Sequence, residues 1–237
     1  MALANYKRSY FANEYSIFAH LWQSILTTYN LAIEARGEFN LMLSGGNTPI
    51  RFYNYLLVAE DLELIDWAQV NIFFSDERYV DQSSDDNNCK QAREHFLDKL
   101  TTRNIFDFKT DLSPEAAAQD MSDRTKKHFA LGDGEVPAFD FCFLGFGEDG
   151  HFASIFPEVP LDEIGEEICY SRFIDKLKKH RLTFSLKVMH NAKALVFIVS
   201  NANKKRLMED LGSRAQKLPI DYLESHNNIE WLVLDES

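Results

Sequence analysis

The chain has 237 residues, and its hydrophobic content of 45% is enough for one large domain spanning residues 1–237. Its net charge of −12 would repel nucleic acids, so we exclude them as partners. The three cysteines have no CxxC spacing, and no apolar run is long enough for a signal peptide or a membrane span. We therefore expect a cytoplasmic protein with no disulfide framework, zinc site or membrane partner.

The first part of the chain predicts a helix followed by a strand. Apolar residues recur at helical spacing over residues 13–36, and Gly37 follows as a helix stop. Residues 39–43 form a short apolar strand, which runs directly into the loop SGGNTP. A polar, glycine-containing loop therefore lies at the end of the first predicted strand.

That loop, residues 44–49, has the composition of an anion-binding turn. Thr48 before Pro49 is typical of a helix start, because threonine can cap free backbone N–H groups and proline suits the first helical position. The N–H groups and the helix dipole would then face a ligand. The loop lacks GK[ST], so it is not a nucleotide loop of the Walker type. We predict a phosphate cradle that consists of Ser44, Gly45, Gly46, Asn47 and Thr48.

A second apolar strand, residues 70–74, ends in the charged sequence SDERYV. Asp76, Glu77 and Arg78 in this cluster indicate either a second site loop or a surface ion pair. Asn87 or Asn88 can cap the helix that follows. Further along, the sequence predicts a helix from Ser113 and Pro114 to about residue 130.

The loop LGFGEDGHFASIFP, residues 144–157, follows an apolar strand at residues 139–144. Its glycines allow a tight turn that would present Asp149 and His151 at the end of the strand. The spacing also satisfies the dinucleotide fingerprint GxGxxG, but Pro157 leaves little room for the long helix that this site needs. A solvated connection without a site is the other alternative.

The remaining elements continue the alternation of strands and helices. Asn203 can cap a helix that carries Lys204 and ends before Gly212. The strand at residues 168–174 is expected to be peripheral. The other predicted strands are residues 181–186, 194–199 and 229–234.

This alternation predicts an α/β fold: a mostly parallel, doubly wound (Rossmann-like) sheet flanked by helices, with small hairpin-like segments at its edge. Strand ends in such a sheet meet at one rim. We therefore expect Ser44, Asp76, Asp149 and Lys204 to open onto one cleft. The cations, carboxylates and histidine of these loops suit a small phosphorylated substrate.

Five motifs in this chain resemble those of the 6-phosphogluconolactonases, relatives of the glucosamine-6-phosphate deaminases. LSGGNTP is similar to that family's LxGGSTP, SDERYV to DERxV, and LGFGEDGHFASIFP to GxGxDGHTASLFP. RLTFS is similar to RITLT, and VSNANK to VxGxxK with Asn201 in the place of a glycine. Phe152 and Asp81 replace the family's usual threonine and proline. The resemblance extends from about residue 39 to the last strand.

The resemblance implies hydrolysis of 6-phospho-D-glucono-1,5-lactone to 6-phosphogluconate, a step of the oxidative pentose phosphate pathway, without a metal or an organic cofactor. A lactone is an activated ester, so a positioned water, a general base and oxyanion stabilisation suffice. We assign His151 as the base, because imidazole titrates near neutral pH, with Asp149 orienting it. Arg78 would hold the carbonyl oxygen or the ring, and Asp76 the ring hydroxyls. The predicted binding residues are Ser44, Gly45, Gly46, Asn47, Thr48, Asn88, Arg181 and Lys204.

Two alternatives stay open on the sequence. An isomerase and deaminase of the sister family would use the Asp of a DEY motif as base, but Arg78 occupies the Tyr place and ASIFP follows where that family has GFNEP. A sugar-phosphate sensor on the same fold would leave His151 idle. We expect a monomer or a weak homo-oligomer.

Overall fold

The computed structural model describes residues 6–59, 62–101, 104–159, 167–211, 213, 217–223, 226 and 228–235. Its strands are β1 (Lys7–Phe11), β2 (Phe39–Leu43), β3 (Val70–Phe74), β4 (Asp76–Arg78), β5 (Asn104–Phe106), β6 (Phe141–Leu144), β7 (Cys169–Ile174), β8 (Lys179–Phe184), β9 (Leu195–Val199) and β10 (Ile229–Leu234). Its α-helices are α1 (Glu14–Arg36), α2 (Asn47–Leu56), α3 (Asn88–His95), α4 (Pro114–His128), α5 (Leu186–Asn191) and α6 (Ala202–Glu209).

Seven parallel strands form the main sheet, in the order β1-β10-β9-β6-β2-β3-β5. From β2 the chain moves outward through β3 to β5. It then returns to the other side of β2 and moves outward again through β6, β9 and β10. The direction of winding therefore reverses between β2 and β6, which opens a crevice at the carboxyl ends of these two strands. The predicted doubly wound α/β sheet is confirmed.

Each face of the main sheet packs on its own apolar core. In β3, Ile72 and Phe74 belong to the core that contains the buried sides of α1, α2 and α3. Phe73 points the other way, into the core shared with α4, α5 and α6. Because helices cover both faces, apolar side chains leave these strands on both sides, which explains why the strands are mostly hydrophobic instead of alternating between apolar and polar residues.

A small antiparallel sheet, ordered β4-β8-β7, lies beside the carboxyl end of β3. The chain passes from β3 to β4 through Ser75, whose backbone N–H donates to the Leu43 carbonyl oxygen at 2.8 Å and whose own carbonyl accepts from Phe184 at 3.0 Å. This arrangement places the charged residues of β4 at the rim of the crevice. It also confirms the predicted hairpin-like subregion.

Several predicted helix ends are confirmed. Gly37 ends α1 in the left-handed conformation, with φ of 76°. Asn87, rather than Asn88, caps α3, because its side chain accepts a hydrogen bond from the Lys90 N–H at 2.8 Å. Ser113 caps α4, which then begins with Pro114 as predicted.

Two other predicted caps are wrong. Helix α2 begins two residues earlier than expected, with Gly46 in the place that Thr48 was predicted to fill. Proline is tolerated throughout a first turn whose N–H groups have no partner inside the helix, so Pro49 did not fix the start. Helix α6 is capped by Asn201, whose side chain accepts from the Lys204 N–H at 3.0 Å, and not by Asn203.

Two short strands of the main sheet were missed. Both β1 and β5 are edge strands that carry polar side chains, so neither shows the apolar run of the buried strands. The strand predicted from residue 139 starts at residue 141. Gly212, the expected stop of α6, lies outside the described residues.

Three further features concern the described part of the chain. No helix there is long and apolar enough to cross a membrane. No group of three or more His, Cys, Asp or Glu residues there could hold a metal ion. All three cysteines are free and buried, and burial raises the pKa of the Cys89 thiol to about 11. The thiols therefore remain protonated at neutral pH.

Candidate active site

A cleft of about 810 Å³ opens at the carboxyl ends of the strands, at the switch point between β2 and β6. The loops after β2, β6 and β9 form its walls, and the small sheet closes one side. The structure brings all the predicted site residues to this cleft: Ser44, Gly45, Gly46, Asn47, Thr48, Asp76, Arg78, Asn88, Asp149, His151, Arg181 and Lys204.

Ser44 lies at the floor of the cleft and ties strands together. Its buried hydroxyl donates to the Phe143 carbonyl oxygen at 3.0 Å and lies 2.9 Å from the Ser75 hydroxyl. Tyr53 donates to the Ser44 carbonyl at 2.5 Å, and burial raises the pKa of that tyrosine. Since these contacts occupy the Ser44 hydroxyl, the residue shapes the cradle, and its side chain is not free for a ligand.

The glycines after Ser44 bring the backbone close to the cleft. A Cβ atom at Gly45 would lie 1.8 Å from Oδ1 of Asn88, so no other residue fits beside that buried amide. Gly46 has a φ of 102°, which strongly favours glycine, and no side chain caps the helix that starts after it. The first N–H groups of α2 therefore face the cleft as anion donors.

Replacing Gly45 with alanine should displace Asn88 or the loop and weaken binding of a phosphorylated ligand by roughly tenfold or more. Overpacking at this position should also lower the free energy of unfolding by ~1–3 kcal/mol. Gly145→Ala is the matched control, because a Cβ atom there would meet nothing within 4 Å. Denaturant unfolding and calorimetric titration with 6-phosphogluconate measure both effects. Equal unfolding midpoints for the two variants would contradict this prediction.

Asp76 is buried beneath the cleft with both carboxylate oxygens occupied. Oδ1 accepts from the Ser75 hydroxyl at 3.0 Å, and Oδ2 accepts from the Ser154 hydroxyl at 2.6 Å. Ser154 belongs to the loop that carries His151, so this contact joins two walls of the cleft. These two hydrogen bonds hold the carboxylate in one position.

Glu77 was predicted to lie in a site loop or a surface ion pair, but the structure buries it, and it does not line the cleft. Its carboxylate accepts backbone N–H groups from Arg78 at 2.8 Å, Asn88 at 2.7 Å and Cys89 at 3.0 Å. Burial raises its pKa to about 8, although the three N–H groups stabilise the anion and oppose that shift. The side chain locks the start of α3 onto β4 and so fixes the position of Asn88.

Replacing Glu77 with glutamine should lower the free energy of unfolding by ~1–3 kcal/mol. The glutamine offers one acceptor where the carboxylate offers two, and its NH₂ group would face backbone N–H donors. Glu94→Gln, at an exposed ion pair of the same helix, should change stability by less than ~1 kcal/mol. Urea unfolding at about pH 9, where the Glu77 carboxylate is charged, tests the pair, and an unchanged midpoint for Glu77→Gln would rule out the locking role.

Arg78 and Arg181 lie side by side at the rim. They are directly paired across β4 and β8, so their side chains leave the same face of the small sheet. Arg78 donates to the Asp86 carbonyl at 2.9 Å, and burial lowers the pKa of Arg181. Two adjacent guanidinium groups repel each other, and a bound anion relieves that repulsion.

The Asp149 carboxylate orients the His151 ring. Its Oδ1 lies 2.5 Å from Nδ1 of His151, and its Oδ2 accepts a hydrogen bond from the Lys176 ammonium. Burial raises the pKa of Asp149, but the hydrogen bonds from His151 and Lys176 outweigh it and hold the pKa below its usual range. Gly147 makes the pair possible, since a Cβ there would lie 2.2 Å from His151 Nδ1. Because Nδ1 serves the carboxylate, Nε2 is left for a substrate.

Lys204 approaches the cleft from the first turn of α6. Its ammonium has no hydrogen-bond partner among the residues that the structure describes, and burial lowers its pKa. The nearby Glu148 carboxylate raises that pKa, whereas the Arg51 guanidinium lowers it further. An amine that is half-buried and unpaired is ready to bind an anion.

The small sheet contributes more to the cleft than the sequence indicated. Residues 168–174 were expected to be peripheral, but the turn that follows β7 places Lys176 and Leu177 in the cleft wall. Ser154, which bonds Asp76, was also missed. A lysine in a turn and a serine in an apolar segment carry no local signal, so only the three-dimensional contacts identify them.

With this geometry established, comparison with known proteins identifies the family. The model of the glucosamine-6-phosphate isomerases/6-phosphogluconolactonase family matches residues 12–231. The chain belongs to this family. It is 31% identical over 215 residues to a 6-phosphogluconolactonase of Synechocystis sp., covering 88% of this chain and 87% of that protein. It is 29% identical over 224 residues to one of Nostoc sp., covering 92% and 91%.

Solved structures show the same family fold. The 6-phosphogluconolactonase from Trypanosoma cruzi superposes with a TM-score of 0.87 at 18% identity, over 99% of this chain and 96% of that one. The departures from the family motifs have local explanations: Asn201 caps α6, and the Phe152 ring is buried 5.7 Å from that of Phe197. Neither change removes a charged group from the cleft.

Proposed function

We propose that this protein hydrolyses 6-phospho-D-glucono-1,5-lactone to 6-phosphogluconate. The observation that carries the proposal is the Asp149–His151 pair, placed in one cleft with Arg78, Arg181 and Lys204. This set combines a base for water with cations for a phosphate. In a cell, the activity would belong to the oxidative pentose phosphate pathway in the cytoplasm.

In the proposed reaction, Nε2 of His151 takes a proton from a water molecule that attacks the lactone carbonyl carbon. Asp149 holds the ring and stabilises the imidazolium that forms. The tetrahedral intermediate then collapses, the bond to the ring oxygen breaks, and the imidazolium returns the proton to that oxygen. Atoms and charge balance without any further reactant.

Charged groups around this pair would stabilise the reacting species. Arg78 is the candidate for the developing oxyanion or the sugar ring, because it lies on the small sheet at the rim. Gly45, Gly46, Asn47 and Thr48 would supply N–H donors to the phosphate, with Arg181 and Lys204 as its cations. Asn88 and Asp76 would contact ring hydroxyls or hold the loops that do.

The alternative of a deaminase and isomerase rests on Asp76 as base. The hydrogen bonds to Asp76 disfavour it, because the Ser75 and Ser154 hydroxyl groups already occupy both carboxylate oxygens, one of which would have to reach the substrate proton. Ser154 belongs to the segment ASIFP, which distinguishes this chain from the sister motif. The lactonase reading therefore fits both the sequence and the contacts of the carboxylate.

The decisive experiment follows base consumption after mixing the protein with freshly made 6-phosphogluconolactone near pH 7. We expect hydrolysis well above the spontaneous rate, and no ammonia release from glucosamine 6-phosphate. The reverse pattern would establish the deaminase. Tight binding of 6-phosphogluconate without turnover of either substrate would establish a sensor. Boiled protein gives the spontaneous rate.

A further inference from the structure

The turn between β7 and β8 reaches over the Asp149–His151 pair. Backbone hydrogen bonds from Leu177 to Ile174 at 3.0 Å and from Lys178 to Asp175 at 3.3 Å close this turn. Lys178 adopts the left-handed conformation, with φ of 50°. The closed turn places Lys176 in the cleft wall, next to the loop that carries the proposed base.

Lys176 contacts two members of that loop and the residue that follows it. Its ammonium donates to Oδ2 of Asp149, lies 3.3 Å from Oε1 of Glu158 and sits 4.5 Å from the centre of the Phe156 ring. The His151 ring also contacts Phe156, and it stacks on that ring with centroids 4.5 Å apart. Lys176 therefore touches both groups that hold the imidazole, its carboxylate and its stacking partner.

We propose that Lys176 is a positioning residue for His151, fixing the ring through Asp149 and Phe156 and lowering its affinity for protons. This inference rests on the proposed function, in which His151 acts as base. A carboxylate paired only with a histidine strongly stabilises the imidazolium. A lysine on the second oxygen neutralises part of that charge, so the ring stays unprotonated, and able to act as base, down to lower pH.

Other charged groups also face this pair and set the background for the effect of Lys176. They come from the His151 loop, the segment behind it, the small sheet and α6. Their charges partly cancel, and Lys176 is the cation that bonds Asp149 directly. These groups are Glu148, Glu158, Asp76, Arg78, Arg181 and Lys204.

The test compares Lys176→Met with Lys176→Arg and Lys178→Met. Methionine keeps the length of the side chain without its charge, and arginine keeps the charge. Lys178 lies in the same turn, but its ammonium contacts Asp175, at 3.4 Å, and its side chain is 77% exposed. The titration of the His151 ring is followed by NMR, with its signal assigned by its loss in His151→Ala, and the pH profile of kcat/KM is measured alongside.

We expect the midpoint of the His151 titration to rise by roughly half to one pH unit in Lys176→Met, and the acid limb of kcat/KM to move with it. Lys176→Arg and Lys178→Met should keep the parental midpoint. An unchanged midpoint in Lys176→Met, or an equal rise in Lys178→Met, would overturn the inference. A parent protein that does not hydrolyse the lactone would overturn the proposed function, while the ring titration would still decide the role of Lys176.

Discussion

Replacing His151 with alanine should lower kcat by about 10²–10⁴-fold and leave KM comparatively unchanged. This is the usual range for the loss of a positioned proton acceptor, and the proposed phosphate cradle lies in another loop. The ring is oriented by Asp149 at 2.5 Å and by stacking on Phe156, which leaves its Nε2 for the water of the proposed reaction. The measurement is steady-state hydrolysis with the spontaneous rate subtracted.

His95→Ala is the control for His151→Ala. His95 lies at the end of α3, outside the cleft, and its ring bonds Asn54 at 3.0 Å. The kcat of the His95→Ala variant should equal that of the parent. Circular dichroism and binding of 6-phosphogluconate check that both variants remain folded. A His151→Ala enzyme with near-parental kcat would show that another group drives water attack, with Asp149 or Asp76 as the next candidates.

The pH profile gives a second check on His151. Activity of the parent should fall at acid pH as the imidazole takes up a proton and can no longer act as base. Asp149 stays charged through this range, because its pKa lies below the usual value for an aspartate. The acid limb therefore reports the ring rather than the carboxylate. Asp149→Asn should move this acid limb to lower pH, since the amide no longer stabilises the imidazolium.

The sequence predicts a structural feature well when residues close together in the chain determine that feature. The buried strands β2, β3 and β10 were predicted with their observed bounds, because a strand covered on both faces is mostly apolar, and each of the three carries only one polar side chain. The glycine loops were found because sharp turns restrict residue choice. The edge strand β1 was missed because solvent on one side removes that constraint.

The site residues also fall into those that a local motif predicts and those that only distant contacts identify. Residues carried by a loop motif, such as Asp149 and His151, were predicted because the motif lies within a few positions of a strand end. The contacts of Ser154 and Lys176 span large separations: Ser154 meets Asp76 across 78 positions, and Lys176 meets Asp149 across 27. No pattern in one sequence reports such pairings. The structure supplies them through the antiparallel sheet that brings β4 and β8 to the rim.

Replacing Lys204 or Arg181 with alanine should weaken binding of 6-phosphogluconate by roughly 10- to 150-fold and raise KM similarly, with a smaller effect on kcat. Each cation would contribute a charge-assisted hydrogen bond to the phosphate, worth ~1.5–3 kcal/mol. The matched controls are Lys205→Ala, next to Lys204 but bonded to Asp235 at 2.9 Å, and Lys179→Ala, on the same strand as Arg181. Both controls should bind like the parent.

The pH dependence of binding separates the lysine from the arginine. Burial lowers the pKa of Lys204, so its ammonium loses a proton at lower pH than an ordinary lysine does. A bound phosphate favours the charged form and raises that pKa again. Affinity should therefore be constant while the pH is below the pKa of Lys204 in the ligand-free protein, and it should fall as the pH rises past that pKa. Lys204→Arg should abolish this fall, because a guanidinium stays charged. Parental affinity in Lys204→Ala and Arg181→Ala would place the phosphate site elsewhere.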